Sequence, residues 1–346
     1  MTPRKLLLHV GPPKTGTSAL QTVLSTLDDP GFLYPRVGLW DADGAHHGLV
    51  FNFYGEYRHG EVPRLDLPEM LAEIGALARA HPERDLVISS EELAERDIPP
   101  LVAALSEAVE DETLSPEIIF VCREHWARAS SLYNQYVKDG FVGLRMDPDD
   151  YLRQTTLPLC YRPTLERLQS CGYPLRVLNY HPSNTFVARA LAHMGSRVVD
   201  YPDPGLRNVS LSRIGLVAML GLNNLQLPPQ QREAVFALLR PHGRLWAPTR
   251  DIFSQRQHPE LAARFADDRA YLRREFAVEL PEFEFSPEGV LSITHEELAW
   301  LADVLKPASR VRKPLLTFGR RYLERPSGAW RRAATALKRA FGLSRR

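Results

Sequence analysis

The stretch His9–Gln21, HVGPPKTGTSALQ, gathers residue types suited to holding an anion. Gly11 and Gly16 have the glycine spacing of the phosphate loop G-x-x-x-x-G-K-[ST], and Ser18 stands in the hydroxyl position. The lysine is displaced: Thr17 fills its slot, and Lys14 lies three residues earlier. Between a strand and a helix, such a loop turns backbone amides and the positive helix end toward an anion. Gly16 allows close backbone approach, and Thr15, Thr17 and Ser18 add hydroxyl donors. Lys14 would then meet the anion from another side. The bland alternative is a Gly/Pro turn with an exposed lysine.

A second motif lies in VCREHWARASSLYNQYVKDG, residues 121–140. Arg123 ends an apolar run, and Ser131 follows eight residues later in a helical pattern. A helix folding back beside the strand end would bring guanidinium and hydroxyl onto one phosphate, whose oxygens the planar arginine fork binds in pairs. Alone, an arginine at a strand end is more often a surface ion pair.

Together the two motifs resemble the sulfotransferase superfamily. PKTGTSALQ is similar to its 5′-phosphosulfate loop, and the spacing from Arg123 to Ser131 is similar to its 3′-phosphate site. SSLYNQYVKDG looks like the bacterial carbohydrate-type branch. The resemblance implies a P-loop-like α/β fold and transfer of a sulfuryl group from 3′-phosphoadenosine 5′-phosphosulfate (PAPS) to an acceptor hydroxyl, with a carbohydrate as the expected acceptor and 3′-phosphoadenosine 5′-phosphate (PAP) as product. It implies that Lys14 is catalytic and that Thr15, Gly16, Thr17 and Ser18 cradle the phosphosulfate. Arg123 and Ser131 hold the 3′-phosphate, Arg207 and Asn208 belong to a loop over the nucleotide, and no metal is required. A sulfuryl group carries less charge than a terminal phosphate, so a lysine can stabilise the bridging oxygen of the leaving phosphate directly. Trp126 is either an adenine platform or a core residue.

The general base is read from position. GAHHGLVF places His46 and His47 in an irregular segment, and a histidine suits proton transfer near neutrality. ISSEEL places Glu91 at the end of a strand, where open parallel sheets bind ligands. His47 stands slightly ahead of Glu91, with His46 as a further candidate. Loop packing for the histidines and a favourable helix-dipole contact for Glu91 are the competing readings.

The elements that must position these groups follow from patterning. KLLLHV (5–10), DLVISSEEL (85–93), EIIFVCR (117–123) and LRVLNY (175–180) read as strands. Helical patterns follow from Thr17 or Ser18, over 68–80, 98–109, 125–138 and 185–194, and strand–helix alternation predicts a parallel sheet covered on both faces. Residues 31–66 read as irregular. Beyond Arg207 the chain reads as helix and loop, with 210–225 helical and Ser210 or Ser212 as its cap. The expected class is therefore α/β: a P-loop-like three-layer fold with a central parallel sheet flanked by helices and a helical C-terminal part. The expected division is a sulfotransferase domain over 1–305 and a basic amphipathic extension over 306–346.

Composition bounds the rest. Hydrophobic and charged fractions of 44% and 25% are ordinary for a globular protein. Three cysteines, Cys122, Cys160 and Cys171, suggest a reducing compartment rather than a disulfide framework. No ligand spacing suggests a metal site, and no stretch suggests a signal peptide or membrane span. The expected location is cytoplasmic. A net charge of +1 conceals 13 Lys/Arg against one acid from Lys306 onward, while 30 basic and 41 acidic residues precede it. Within 328–346, Trp330, Ala333, Ala334, Leu337, Ala340 and Phe341 make one apolar helical face flanked by arginine and lysine. That pattern suits an anionic membrane surface. Docking on the acidic body is the close alternative, and nucleic acid the weaker one. Two other functions fit the same loop: a Mg-ATP-dependent kinase with a variant loop, and a non-catalytic nucleotide-binding module at a membrane.

Overall fold

The computed structural model describes residues 3–40, 44–55, 64–111, 113–140, 142–155, 159–180, 185–198, 200–201, 209–247, 252–253, 258–285 and 291–323. These form β1 (Lys5–His9), α1 (Thr17–Thr26), β2 (Phe32–Leu33), α2 (His47–Phe53), α3 (Leu67–Ala80), β3 (Asp85–Ser89), α4 (Ile98–Val109), β4 (Ser115–Cys122), α5 (His125–Lys138), α6 (Pro148–Gln154) and α7 (Arg162–Ser170). There follow β5 (Leu175–Asn179), α8 (Thr185–His193), α9 (Arg213–Asn224), α10 (Pro229–Leu239), α11 (Pro259–Phe276), α12 (His295–Val304) and α13 (Ser309–Gly319). The fold divides into two compact units. The first draws on residues 1–132, 155–208 and 255–285, the second on 133–154, 209–254 and 286–346.

The first unit is a three-layer α/β fold. Its five strands are all parallel, in the order β2-β3-β1-β4-β5. Alternate side chains of each inner strand enter opposite cores, as the strand period of two requires. Leu6, Leu8, Leu86, Ile88, Ile118 and Phe120 face one core, with α3, α4 and α7. Leu7, Val87, Ile119 and Val121 face the other, with Leu20, Val23 and Leu24 of α1 and Phe186 and Leu191 of α8. The chain leaves β1 toward β3 on one side and later adds β4 on the other, which makes the end of β1 the switch point where open α/β sheets place ligands. The register sets His9 opposite Ser89 at that edge.

Among the elements that escape the sequence pattern are β2, α2, α6 and α7. Phe32–Leu33 is too short to show a period, and α2 begins inside the stretch expected to be irregular because its cap position, His46, supplies no side-chain cap. In the second unit, α9 is buried nearly all round, from Ile214 to Asn223, and Ser212 caps it by accepting from Gly215 N at 3.2 Å. Asn134 donates to Leu211 O at 2.9 Å and accepts from Leu211 N at 3.0 Å, doing for a buried backbone what a strand would do. The boundary expected at 305 falls between α12 and α13, which belong to one unit. Residues Leu315 and Phe318 of α13 lie against Gly221 of α9. The amphipathic stretch 328–346 lies outside the described residues. Among the described residues no helix is long and apolar enough to cross a membrane, and the three cysteines are free.

Candidate active site

β1 delivers the chain to the loop 10–16, and α1 starts at Thr17. Two loop residues adopt left-handed backbone angles, Lys14 at φ 71° and Gly16 at φ 89°. Gly16 is required twice over. Its conformation disfavours a side chain, and a β-carbon there would fall 2.5 Å from the Tyr180 ring. Lys14 bears the same conformation with a side chain attached, a backbone cost of the kind that clusters at functional sites. Thr15 is buried and donates to Pro12 O at 2.8 Å, closing the loop on itself. Gly16 gives the first turn of α1 no side-chain cap, so the amides there suit an anion.

Two arginines orient the loop. Arg123, just past β4, donates through Nη1 to Lys14 O at 2.9 Å, and Arg128 on α5 donates through Nε to Pro13 O at 3.2 Å. In a trans peptide the carbonyl and the next N–H point in opposite directions. Holding the carbonyls of Pro13 and Lys14 therefore fixes the amides of Lys14 and Thr15 on the other side of the loop, away from the guanidinium groups. Arg123 also lies over the Tyr180 ring, 5.2 Å from its centroid.

The Arg123 backbone is itself clamped. Its N–H donates to Tyr161 Oη at 2.9 Å, and the Tyr161 hydroxyl donates back to its carbonyl at 2.6 Å. Tyr161 and Arg162 open α7, and their N–H groups donate to the carboxylate of Asp268 on α11, each at 2.8 Å. His125 Nε2 meets the same carboxylate at 2.7 Å. Asp268 thus caps one helix from another and holds the start of a third. Ser131 is half-buried on α5, three residues beyond Arg128.

The end of β3 gathers the groups considered for proton transfer. Ser89 N donates to His46 Nδ1 at 3.1 Å, and His46 Nε2 donates to Pro35 O at 2.9 Å. Both ring nitrogens of His46 are thereby committed, and burial lowers its pKa to about 4. His47 is half-buried, with Nδ1 2.8 Å from Ser90 Oγ. Ser90 caps the short turn Glu91–Glu95 by accepting from Glu92 N at 3.3 Å. The Glu91 carboxylate accepts from the Thr17 hydroxyl, so it reaches the first residue of α1. Both readings of Glu91 describe this place: an acid at the N-terminus of a turn and a carboxylate beside the anion loop.

No protein-family model matches the chain, and no curated protein matches it. The functional reading therefore rests on site geometry and motif resemblance.

The sequence-level candidates divide accordingly. Lys14, Thr15, Gly16, Thr17, Ser18 and Arg123 share one loop and its clamp. Glu91 touches that loop through Thr17, and His47 joins it through Ser90, the neighbour of Glu91. Arg207 and Asn208 lie outside the described residues. Trp126 is a core residue, 5% exposed and edge-on to Phe265 and Phe285, so it is no adenine platform here. Sequence reasoning missed Arg128, Tyr161, Tyr180, Ser89, His9 and Asp268. Strand ends announced His9, Ser89 and Tyr180; nothing local announced Asp268, whose partners lie more than 100 residues away. A cavity of about 690 Å³ opens along the edge strand β5, but its lining includes neither the loop nor Arg123, and its Glu117–Arg176 and Arg274–Glu275 charges are already paired.

Proposed function

We propose that this chain is a PAPS-dependent sulfotransferase acting on an acceptor hydroxyl. The observation that carries the reading is the hydrogen bond from Arg123 to the Lys14 carbonyl. It joins two motifs 109 residues apart whose combination, rather than either alone, resembles the superfamily. The donor supplies an activated sulfuryl group when bound. The amides of Lys14 and Thr15, with the first turn of α1, offer donors to its phosphosulfate end. Lys14 supplies positive charge where the leaving phosphate gains negative charge, a contribution that grows toward the transition state. Arg123 offers its guanidinium group, and Ser131 its hydroxyl, to the 3′-phosphate. His47 or Glu91 takes the acceptor proton in this reading, both lying near the loop through Ser90 and Thr17. A carbohydrate acceptor rests on the resemblance of residues 130–140.

Calorimetric titration with PAP in EDTA, against ADP and ATP with and without Mg²⁺, tests this. The expected result is metal-independent binding of PAP, weakened at least tenfold in Arg123→Ala. Preference for Mg²⁺-ATP would replace the reading with the kinase. Tight PAP binding with no turnover on any hydroxyl acceptor would leave a nucleotide-binding module.

A further inference from the structure

His9 ends β1 directly beneath the anion loop, is 0% exposed, and has an Nε2 with no hydrogen-bond partner. The atom faces the loop rather than the apolar core. A β-carbon built on Gly11 would lie 3.2 Å from it, 3.2 Å from Thr15 Oγ1 and 2.7 Å from Thr17 Cγ2. A buried unpaired ring nitrogen costs roughly 1–3 kcal/mol, so its retention calls for an explanation.

The other ring nitrogen is held by Ser89. His9 Nδ1 is 2.7 Å from Ser89 Oγ, which also accepts from Gln21 Nε2 at 3.2 Å. Ser89 Oγ can donate to His9 Nδ1 while accepting from Gln21, and in that arrangement Nε2 carries the ring proton. Desolvation holds the His9 pKa down to about 4, which keeps the ring neutral at ordinary assay pH. In that arrangement the floor of the loop holds one oriented N–H donor, backed by Ser89 and Gln21.

We propose that His9 is a binding residue of the anion loop, its Nε2–H donating to an oxygen of the sulfate or phosphate group that the loop holds. The inference rests on the sulfotransferase reading only for the identity of that group. A neutral donor adds no charge where Lys14 and the amides already supply it. It fixes the rotation of the group about the loop axis.

The test uses the full chain labelled with ¹⁵N-histidine, titrated with PAP and separately with inorganic sulfate. His9→Asn assigns the signal and serves as the variant, because its side-chain amide can still reach Ser89 but lacks the Nε2 arm. The expected result is a downfield shift of the His9 Nε2–H proton on saturation, with affinity for the same anion about 10- to 100-fold weaker in His9→Asn. His9→Gln, whose amide nitrogen reaches further, should recover part of the loss. An unmoved Nε2–H signal under saturating PAP would overturn the role of His9 while leaving the sulfotransferase reading intact. Binding of sulfate but not PAP, with the signal shifted, would support the His9 site and overturn the donor. Binding of neither by the native protein would overturn both.

Discussion

At the scale of single residues, the loop separates groups that shape the site from groups that act in it. Lys14→Ala should lower turnover by about 10²–10³-fold, with donor affinity falling less, because its charge matters most as the leaving oxygen becomes anionic; steady-state kinetics beside PAP titration separates the two. Equal losses in both would make Lys14 a simple binding residue. Gly16→Ala combines a left-handed backbone with a ring contact at 2.5 Å, and should cost about 2–4 kcal/mol in denaturant unfolding. Tyr180→Ala in the same chain should restore only the steric part. The buried histidines give a pH signature. His9 and His46 have pKa values of about 4 in the fold against an ordinary 6.5. The unfolded chain therefore binds the extra protons between those values, and stability falls as pH drops from about 6.5 toward 4. Each contributes on the order of 3 kcal/mol across that window. His46→Asn should flatten the slope of stability against pH; an unchanged slope would mean that burial does not hold these rings neutral.

At the scale of elements, the site is a set of strand ends braced by helices. Lys14, Gly16 and Arg123 were legible in sequence because glycine spacing and strand-ending polar residues are local signals. Asp268 was not legible. It sits mid-helix, and its role appears only when α11 brings it to the first N–H groups of α7. His47 was legible as a residue but not as the start of a helix, since α2 lacks a capping side chain. The same bracing predicts a remote effect. Asp268→Ala leaves His125 and two helix-opening N–H groups without their carboxylate and should cost about 3–5 kcal/mol. Asp268→Asn keeps the shape and one acceptor oxygen, so it should cost less and raise the PAP dissociation constant through Tyr161 and Arg123; an unchanged constant in a folded Asp268→Asn protein would break that chain of contacts.

At the scale of the whole molecule, charge and chain order matter more than any one contact. Residues 324–346 carry seven Lys/Arg against Glu324 alone, whereas α13 just before them buries Val311 and Leu315. A chain ending at Leu323 keeps α13 and removes the basic stretch. Vesicle co-sedimentation should show the full-length protein binding anionic lipid and the shortened one not; equal binding would assign the charge to some other partner. Binding should also weaken as salt rises through the physiological range. The first unit is assembled from three separated stretches of chain, the last running from 255 to 285. During synthesis the loop emerges about 250 residues before the carboxylate that braces its clamp, tens of seconds at ordinary elongation rates. The nascent chain must therefore carry the loop unbraced for that interval. A product terminated before Asp268 would lack the carboxylate that holds the starts of α5 and α7.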